Sequence, residues 1–365
     1  MQHKEDPRRS EADNWSSVLF LSFGVGLIKC LYYAATDNLL FFAASSSHSY
    51  NRGTEGGIEA LISQHHLKHM KRAINLRAVT NVVPAIDIGP FHRVIGSLDE
   101  IGQGSLHAVH DINPFTLFDE VKVTKKAGVP PFGPHPHHGL QVLTCILKGS
   151  FSNKIWDHPE AVYEAPMGVS VNAGRGVVHE EKTAVPDETK ALQIVWLIPE
   201  EWRSKVATEF IQKPHLVEFE SGASVRVWVG HPFGDKSAST VVTPTPLNII
   251  TGTLKPNGSL DIEDTCAGGA FLYPFSTEAN VQVSDSETVK SRHAAIFDDA
   301  SGGTIKLKNE SSTDEVEFIC GWGARIEEPW VKLLTHNGFF LARSLEAAQL
   351  QEKLFLEQGT TSYGK

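Results

Sequence analysis

Leu140-Gln141-Val142-Leu143-Thr144-Cys145-Ile146-Leu147-Lys148-Gly149-Ser150-Phe151-Ser152-Asn153-Lys154-Ile155-Trp156 is the stretch that decides the fold. Apolar and β-branched residues run to Leu147, Lys148-Gly149-Ser150 makes a turn, and a second strand-like run ends at Trp156. The same texture repeats outward in both directions. Residues 78–86, 168–172 and 191–197 read as strands, and Asp157-His158-Pro159-Glu160 as another turn. A second series covers 224–229, 247–254, 269–273, 279–283, 294–297, 304–307 and 315–320, with the turn dipeptide Asn257-Gly258 inside it. Many short strands with almost no helical periodicity predict an all-β protein built from barrels or sandwiches. Residues 200–212 read as a short helix and linker between the two series. A terminal helix is expected after Ser344 as cap, with Leu345, Ala348, Phe355 and Leu356 inward and Gly359 as its stop. The expected organisation is therefore two tandem barrels, at 71–205 and 215–330, and a C-terminal segment at 331–365 with the helix.

The chain has 365 residues, 41% hydrophobic and 21% charged, which suits large globular domains with full cores. Its formal charge of −10 comes without a dense Lys/Arg block, so direct binding to a nucleic-acid backbone is disfavoured. Cys30, Cys145, Cys266 and Cys320 are scattered and read as reduced thiols of a cytoplasmic or nuclear protein. A monomer is expected. Residues 1–70 differ from the rest: polar to 14, largely apolar over 18–35, rich in Ser and Gly over 45–57. The apolar run is nearly long enough for a membrane anchor, but Lys29 interrupts it and a mid-bilayer Lys costs roughly 2.5–3.5 kcal/mol, so anchoring is the minority reading. Glu5, Glu11 and Asp13 dilute the basic start a signal peptide needs. These residues are read as a poorly ordered extension, and His65, His66 and His69 within it as surface residues.

Two short runs carry the chemistry. His135-Pro136-His137-His138-Gly139 offers ligands at His135 and His137; Gly174-Arg175-Gly176-Val177-Val178-His179-Glu180-Glu181 offers His179 and Glu181. With 17 histidines in the chain, about one His-x-His pair arises by chance, so context matters. In a strand, residues i and i+2 share a face, so two such strands side by side would aim three imidazoles and one carboxylate at one point. The same parity turns His138 and Glu180 to the other face. Pro136 favours extended geometry at His135, and the glycines permit close backbone approach before the second pair. Gly174-Arg175-Gly176 also looks like the start of a dinucleotide fingerprint, but His179 stands where the third glycine belongs and no helix follows. Three neutral imidazoles and a carboxylate suit a first-row metal. No Cys is near, which argues against a closed structural zinc site. Iron is expected, with two coordination positions open in a six-coordinate arrangement; other first-row divalent metals suit the same donors. The competing view is a metal that only holds the barrel together.

At these residues the chain resembles the pirin family of the cupin superfamily, from about Arg77 to the C-terminus. The resemblance rests on Arg77-Ala78-Val79, Asn113-Pro114-Phe115 with Leu117-Phe118-Asp119-Glu120, and the two metal runs. Thr243-Pro244-Thr245-Pro246 and Glu328-Pro329 complete the set. It implies a bicupin, two jelly-roll-like barrels, with one mononuclear Fe(2+) in the N-terminal barrel on His135, His137, His179 and Glu181. The C-terminal barrel would hold no metal. Two positions depart from the family pattern. His138 stands where Arg is usual, and Gln141 stands where cupins often place a glutamate. Gln141 cannot take up a proton, which leaves a base role to Glu181.

Two functions follow from the resemblance. One is an oxidoreductase: an iron-dependent dioxygenase of the quercetin 2,3-dioxygenase kind, opening a small aromatic flavonol with Glu181 accepting the hydroxyl proton. The other is a non-enzymatic, redox-responsive transcription co-regulator acting through protein partners.

Overall fold

The computed structural model describes residues 76–89, 91–96, 112–123, 132–155, 158–183, 188–234, 239–275, 279–284, 287–298, 302–335 and 338–358. The expected extension at 1–70, with its apolar run, and Cys30 lie outside the described residues.

Strands come in chain order as β1 (Val79–Pro84), β2 (Ile86–Ile88), β3 (Phe91–Ile95), β4 (Phe115–Val123), β5 (Phe132–His138), β6 (Leu140–Lys148), β7 (Ser150–Ile155), β8 (Ala161–Glu164), β9 (Met167–Asn172), β10 (Val177–Thr183) and β11 (Thr189–Leu197). A single helical turn, α1 (Glu200–Arg203), precedes β12 (Thr208–Gln212), β13 (His215–Glu218), β14 (Ala223–Val229), β15 (Leu247–Leu254), β16 (Ser259–Asp264) and β17 (Ala270–Pro274). The chain continues through β18 (Val281–Val283), β19 (Glu287–Val289), β20 (His293–Phe297), β21 (Gly303–Asn309), β22 (Val316–Gly323), β23 (Val331–Thr335), β24 (Gly338–Ala342) and α2 (Leu345–Gln358).

These strands make two barrels, each from a pair of sheets. The first pairs the order β12-β9-β6-β11-β4-β3-β2 with β23-β24-β5-β10-β7-β8; the second pairs β1-β20-β17-β22-β15-β14-β13 with β16-β21-β18-β19. Two elements join sheets distant in sequence. β1 pairs with β20 (Val82↔Ala295), and β24 pairs in parallel with β5 (Phe339↔His137, Phe340↔His138). Gly139 makes the second docking feasible: its φ is +75°, and a Cβ there would overlap the Leu341 carbonyl oxygen.

Period-two burial gives each seven-stranded sheet two working faces. On β6, Val142 packs with Leu117, Val171 and Val195 inside the first barrel, whereas Leu143 and Cys145 join a cluster with Trp228, Ile249, Phe271 and Tyr273 of the second. Burying this shared face, at about 25 cal/mol per Å² of apolar surface, holds the barrels together. Phe115 meets Phe271 edge-on at 5.0 Å, and Tyr273 donates to Glu120 Oε2 at 2.8 Å. The second barrel has its own core around Val225, Leu260, Ile305 and Phe318.

Three residues of the resemblance act as ties. The Arg77 guanidinium, fully buried, pairs with Asp264 and donates to the Asp298 carbonyl. Asn113 and Ile326 exchange two hydrogen bonds of 2.8 Å. Glu328 accepts from the Glu200 amide at 2.6 Å.

Two local expectations need correction. Of the short helix and linker expected over 200–212, the helix is a single turn, Glu200–Arg203, and the end of the linker, Thr208–Gln212, is an edge strand on β9. Thr208-Glu209-Phe210-Ile211-Gln212 has too few residues to show its alternation. In α2, Ser344 caps as expected, accepting from the Ala347 amide, but Leu345 and Leu356 are exposed. Of the four expected, Ala348 and Phe355, seven apart on one stripe, pack inward beneath β23 and β24, joined by Ala347. Cys145, Cys266 and Cys320 are buried free thiols. Among the described residues no helix is long and apolar enough to cross a membrane.

Candidate metal centre

Antiparallel pairing of β5 with β10 sets His179 directly opposite His135 and Val177 opposite His137. All three imidazoles turn into the first barrel, where their ring centroids lie 4.5–4.9 Å apart. One nitrogen from each falls within 4.8 Å of the others.

The hydrogen bonds fix which nitrogens converge. His135 Nδ1 lies 2.6 Å from the Gly133 carbonyl oxygen and His179 Nδ1 lies 3.1 Å from Asn153 Oδ1. Both partners are acceptors, so each Nδ1 carries the proton and each Nε2 presents a lone pair. Those two Nε2 atoms face each other at 3.1 Å. His137 has no hydrogen-bond partner on either ring nitrogen and is 6% exposed. Leaving such groups buried and unmet costs about 1–3 kcal/mol each. Burial keeps all three rings neutral, pushing His135 and His179 down to about 4, and neighbouring imidazoles add to the effect at His135 and His137. Neutral rings with converging lone pairs are what a first-row cation needs, so the donor set fits a metal.

Glu181, the fourth expected ligand, is buried beside this cluster but outside the 4.8 Å group. A bulge between His179 and Glu181 brings Glu181 opposite Phe132, one residue out of step. Its Oε1 accepts from Thr144 Oγ1 and its Oε2 from Gln193 Nε2, both at 2.7 Å. Burial raises the carboxyl above its usual range; the two hydrogen bonds and nearby His135 oppose that rise. Thr144, Gln193 and Asn153 were not legible as site residues. Strand parity alone would give Thr144 the face of Val142, but only the register shows Gln193 beside it.

A protein-family model described as Pirin matches residues 96–197. A pirin-like protein of Solanum lycopersicum is 28% identical over 233 residues, covering 61% of this chain and 75% of that protein. The chain is similar to pirins over this region. Among solved pirin-like folds, quercetin 2,3-dioxygenase from Acinetobacter baumannii superposes with a TM-score of 0.64 at 18% identity, covering 79% of this chain and 99% of that one. The Escherichia coli pirin YhhW in complex with nickel(II) gives 0.51 at 14%, covering 67% and 98%.

The two departures from the pirin pattern lie off the histidine cluster. His138 faces away, its Nδ1 3.0 Å from the Leu341 carbonyl oxygen of β24. Gln141 shares the face of Leu143 and Cys145, donating to Ser170 Oγ at 3.0 Å and the Val242 carbonyl at 3.2 Å. Neither side chain is placed to act on a group held by the three histidines.

Proposed function

We propose that this pirin-like protein is a metal-dependent dioxygenase whose substrate is a small aromatic enol-ketone of the flavonol class, such as quercetin. One observation carries the reading: the proton-free Nε2 atoms of His135 and His179 converge with the unpartnered His137 ring inside a barrel. Those histidines, with Glu181 beside them, would hold a mononuclear Fe(2+). When bound, the metal would supply Lewis acidity and redox chemistry toward O₂. The chain's own residues do the rest. Leu117, Val142, Val171, Val195 and Phe339 give the barrel apolar walls that exclude water and accept an aromatic ring. Glu181, raised by burial, is tuned to take the proton of the substrate hydroxyl on a carboxylate oxygen. The structural likeness to a quercetin 2,3-dioxygenase supports the substrate class. Iron-loaded protein incubated with quercetin under O₂ should lose the flavonol absorbance and release carbon monoxide. Full metal loading without either result would reject the reading.

A second reading has its own observation. Phe339 of β24 lies 6.3 Å from His137 ring to ring, and α2 packs on β24 by Ala348 while exposing Leu345, Leu350 and Leu356. A change of metal oxidation state could thus reach a surface that meets a protein partner, as a transcription co-regulator in the cytoplasm or nucleus requires. Equal partner affinity for oxidised and reduced protein would reject it.

A further inference from the structure

Which nitrogen of His179 carries its proton is decided one residue beyond its own partner. Asn153 on β7 meets His179 with its amide, and a neutral imidazole can either donate to the amide oxygen or accept from the amide nitrogen. The other end of Asn153 settles the choice. Its Nδ2 donates to Glu209 Oε1 at 2.7 Å, which leaves Oδ1 to accept from His179 Nδ1 at 3.1 Å. A carboxylate only accepts, so Glu209 claims the nitrogen of the amide, and its charge makes that bond the stronger of the two. Asn153 is buried, which keeps water from meeting either end instead. Glu209 stands opposite Val171 on edge strand β12 and so shares that residue's face, inside the first barrel. β12 and β7 belong to different sheets of that barrel, so the bond between Glu209 and Asn153 crosses from one sheet to the other.

We propose that Glu209 is a positioning residue for the metal centre: through Asn153 it holds His179 in the Nδ1–H tautomer, with Nε2 bare toward the other two imidazoles. The inference rests on the metal reading above and adds to it a residue from the strand that follows α1. Strand β12, with no ligand of its own, thereby decides whether one of the three histidines can bind.

Two readouts test it on the full chain: the tautomer of His179 in metal-free protein at neutral pH, from nitrogen NMR of isotope-labelled histidine, and the affinity for Co(II). The signals of His179 are identified by their loss in His179→Gln. Glu209→Lys offers Asn153 a donor in place of an acceptor, which turns the amide over. His179 should then carry its proton on Nε2, and Co(II) affinity should fall about 10–100-fold. Glu209→Gln keeps an acceptor oxygen in reach, so it should preserve the tautomer and hold affinity within about threefold. Adding Asn153→Asp to Glu209→Lys restores an acceptor for Nδ1 and balances the new cation, and should recover the tautomer and most of the affinity. Glu209→Leu, which withdraws the acceptor without adding charge, should give a mixture of tautomers and serves if Glu209→Lys does not fold. A single Nδ1–H tautomer in both Glu209→Lys and Glu209→Leu would overturn the inference and leave the metal reading standing. A loss of affinity in Glu209→Lys that Asn153→Asp fails to recover would overturn it too. Co(II) bound by the parent no better than by His137→Ala would remove the metal reading, and the inference with it.

Discussion

His179 Nε2 faces His135 Nε2 across 3.1 Å, while the Nδ1 of each ring is committed to an oxygen acceptor. Two facing lone pairs inside a protein repel unless a cation or proton lies between them. Burial disfavours the proton, holding both groups near about 4. A metal cation is thus the species that would relieve the arrangement. His135→Ala or His137→Ala should cut metal content from about one ion per chain to below about a tenth, measured by elemental analysis of purified protein. Native stoichiometry in His137→Ala would show that the cluster is not the site.

Asn153 decides which His179 nitrogen points inward, since its oxygen accepts from Nδ1 and its amide donates to Glu209 at 2.7 Å. Asn153→Leu leaves Nδ1 without a partner and lets the ring turn or change tautomer. Metal affinity should fall about 10–100-fold with strand content unchanged by circular dichroism. Unaltered affinity would show that the barrel wall alone orients the ring.

Apo-protein stability should depend on pH in a direction set by the same rings. His135 and His179 bind protons less well folded, near about 4, than unfolded, near 6.5. The unfolded chain therefore takes up more protons between those values, and stability rises with pH across that interval. Each ring contributes up to about 3 kcal/mol above pH 6.5, lost as pH falls toward 4. Glu181, raised in the fold, contributes in the opposite sense: its stabilisation is present at low pH and fades as pH rises through its folded value. The two histidines outnumber it, so chemical denaturation of apo protein should give a net loss between pH 6.5 and 4.5. His135→Ala should flatten that slope.

The candidate pairs were legible because strand parity is local: two residues apart means one face, and His138 and Glu180 turn away as that rule requires. Glu180 instead meets Lys182 at 2.8 Å. Glu181 keeps the face of His179, but the register shift against β5 sets it opposite Phe132; the trace of that shift in sequence is Gly133-Pro134, residues that weaken a regular ladder. Strand β4 escaped notice for a different reason. Asp119 and Glu120 give it a polar texture, yet both are buried, held by Arg93 and Tyr273. Docking of β24 on β5 has no local signature at all, since about two hundred residues separate the partners.

That docking is itself testable. Gly139 adopts φ +75° with the Leu341 carbonyl against its α-carbon, so Gly139→Ala meets both a conformational penalty and a clash. A loss of about 2–4 kcal/mol in unfolding free energy is expected. Because β24 also carries Phe339 against His137, the metal should dissociate faster in chelator competition. Gly133, whose added Cβ would meet nothing within 4 Å, is the control: Gly133→Ala should be nearly silent in both measurements.

Arg93 and Asp119 form a buried pair on neighbouring strands β3 and β4, Nε to Oδ1 at 2.5 Å and Nη2 to Oδ2 at 3.0 Å. Burial pushes the Asp119 carboxyl up, and the Arg93 charge opposes that rise. The pair lies in the same transverse row as Gln193 and Thr144, Asp119 opposite Gln193 and Gln193 opposite Thr144. Arg93→Met strands a buried carboxylate and should cost about 3–5 kcal/mol. Replacing both partners, Arg93→Met with Asp119→Leu, removes the stranded charge and should restore most of that loss. A double-mutant cycle by chemical denaturation measures the difference. If the pair served only to close the barrel, the double variant would bind metal as the parent does. If the row orders Gln193 against Glu181, the double variant would be stable yet altered in Co(II) spectrum. We expect the second outcome, because Gln193 has Asp119 on one side and Thr144 on the other, and its amide must point toward Glu181 to hold the carboxylate.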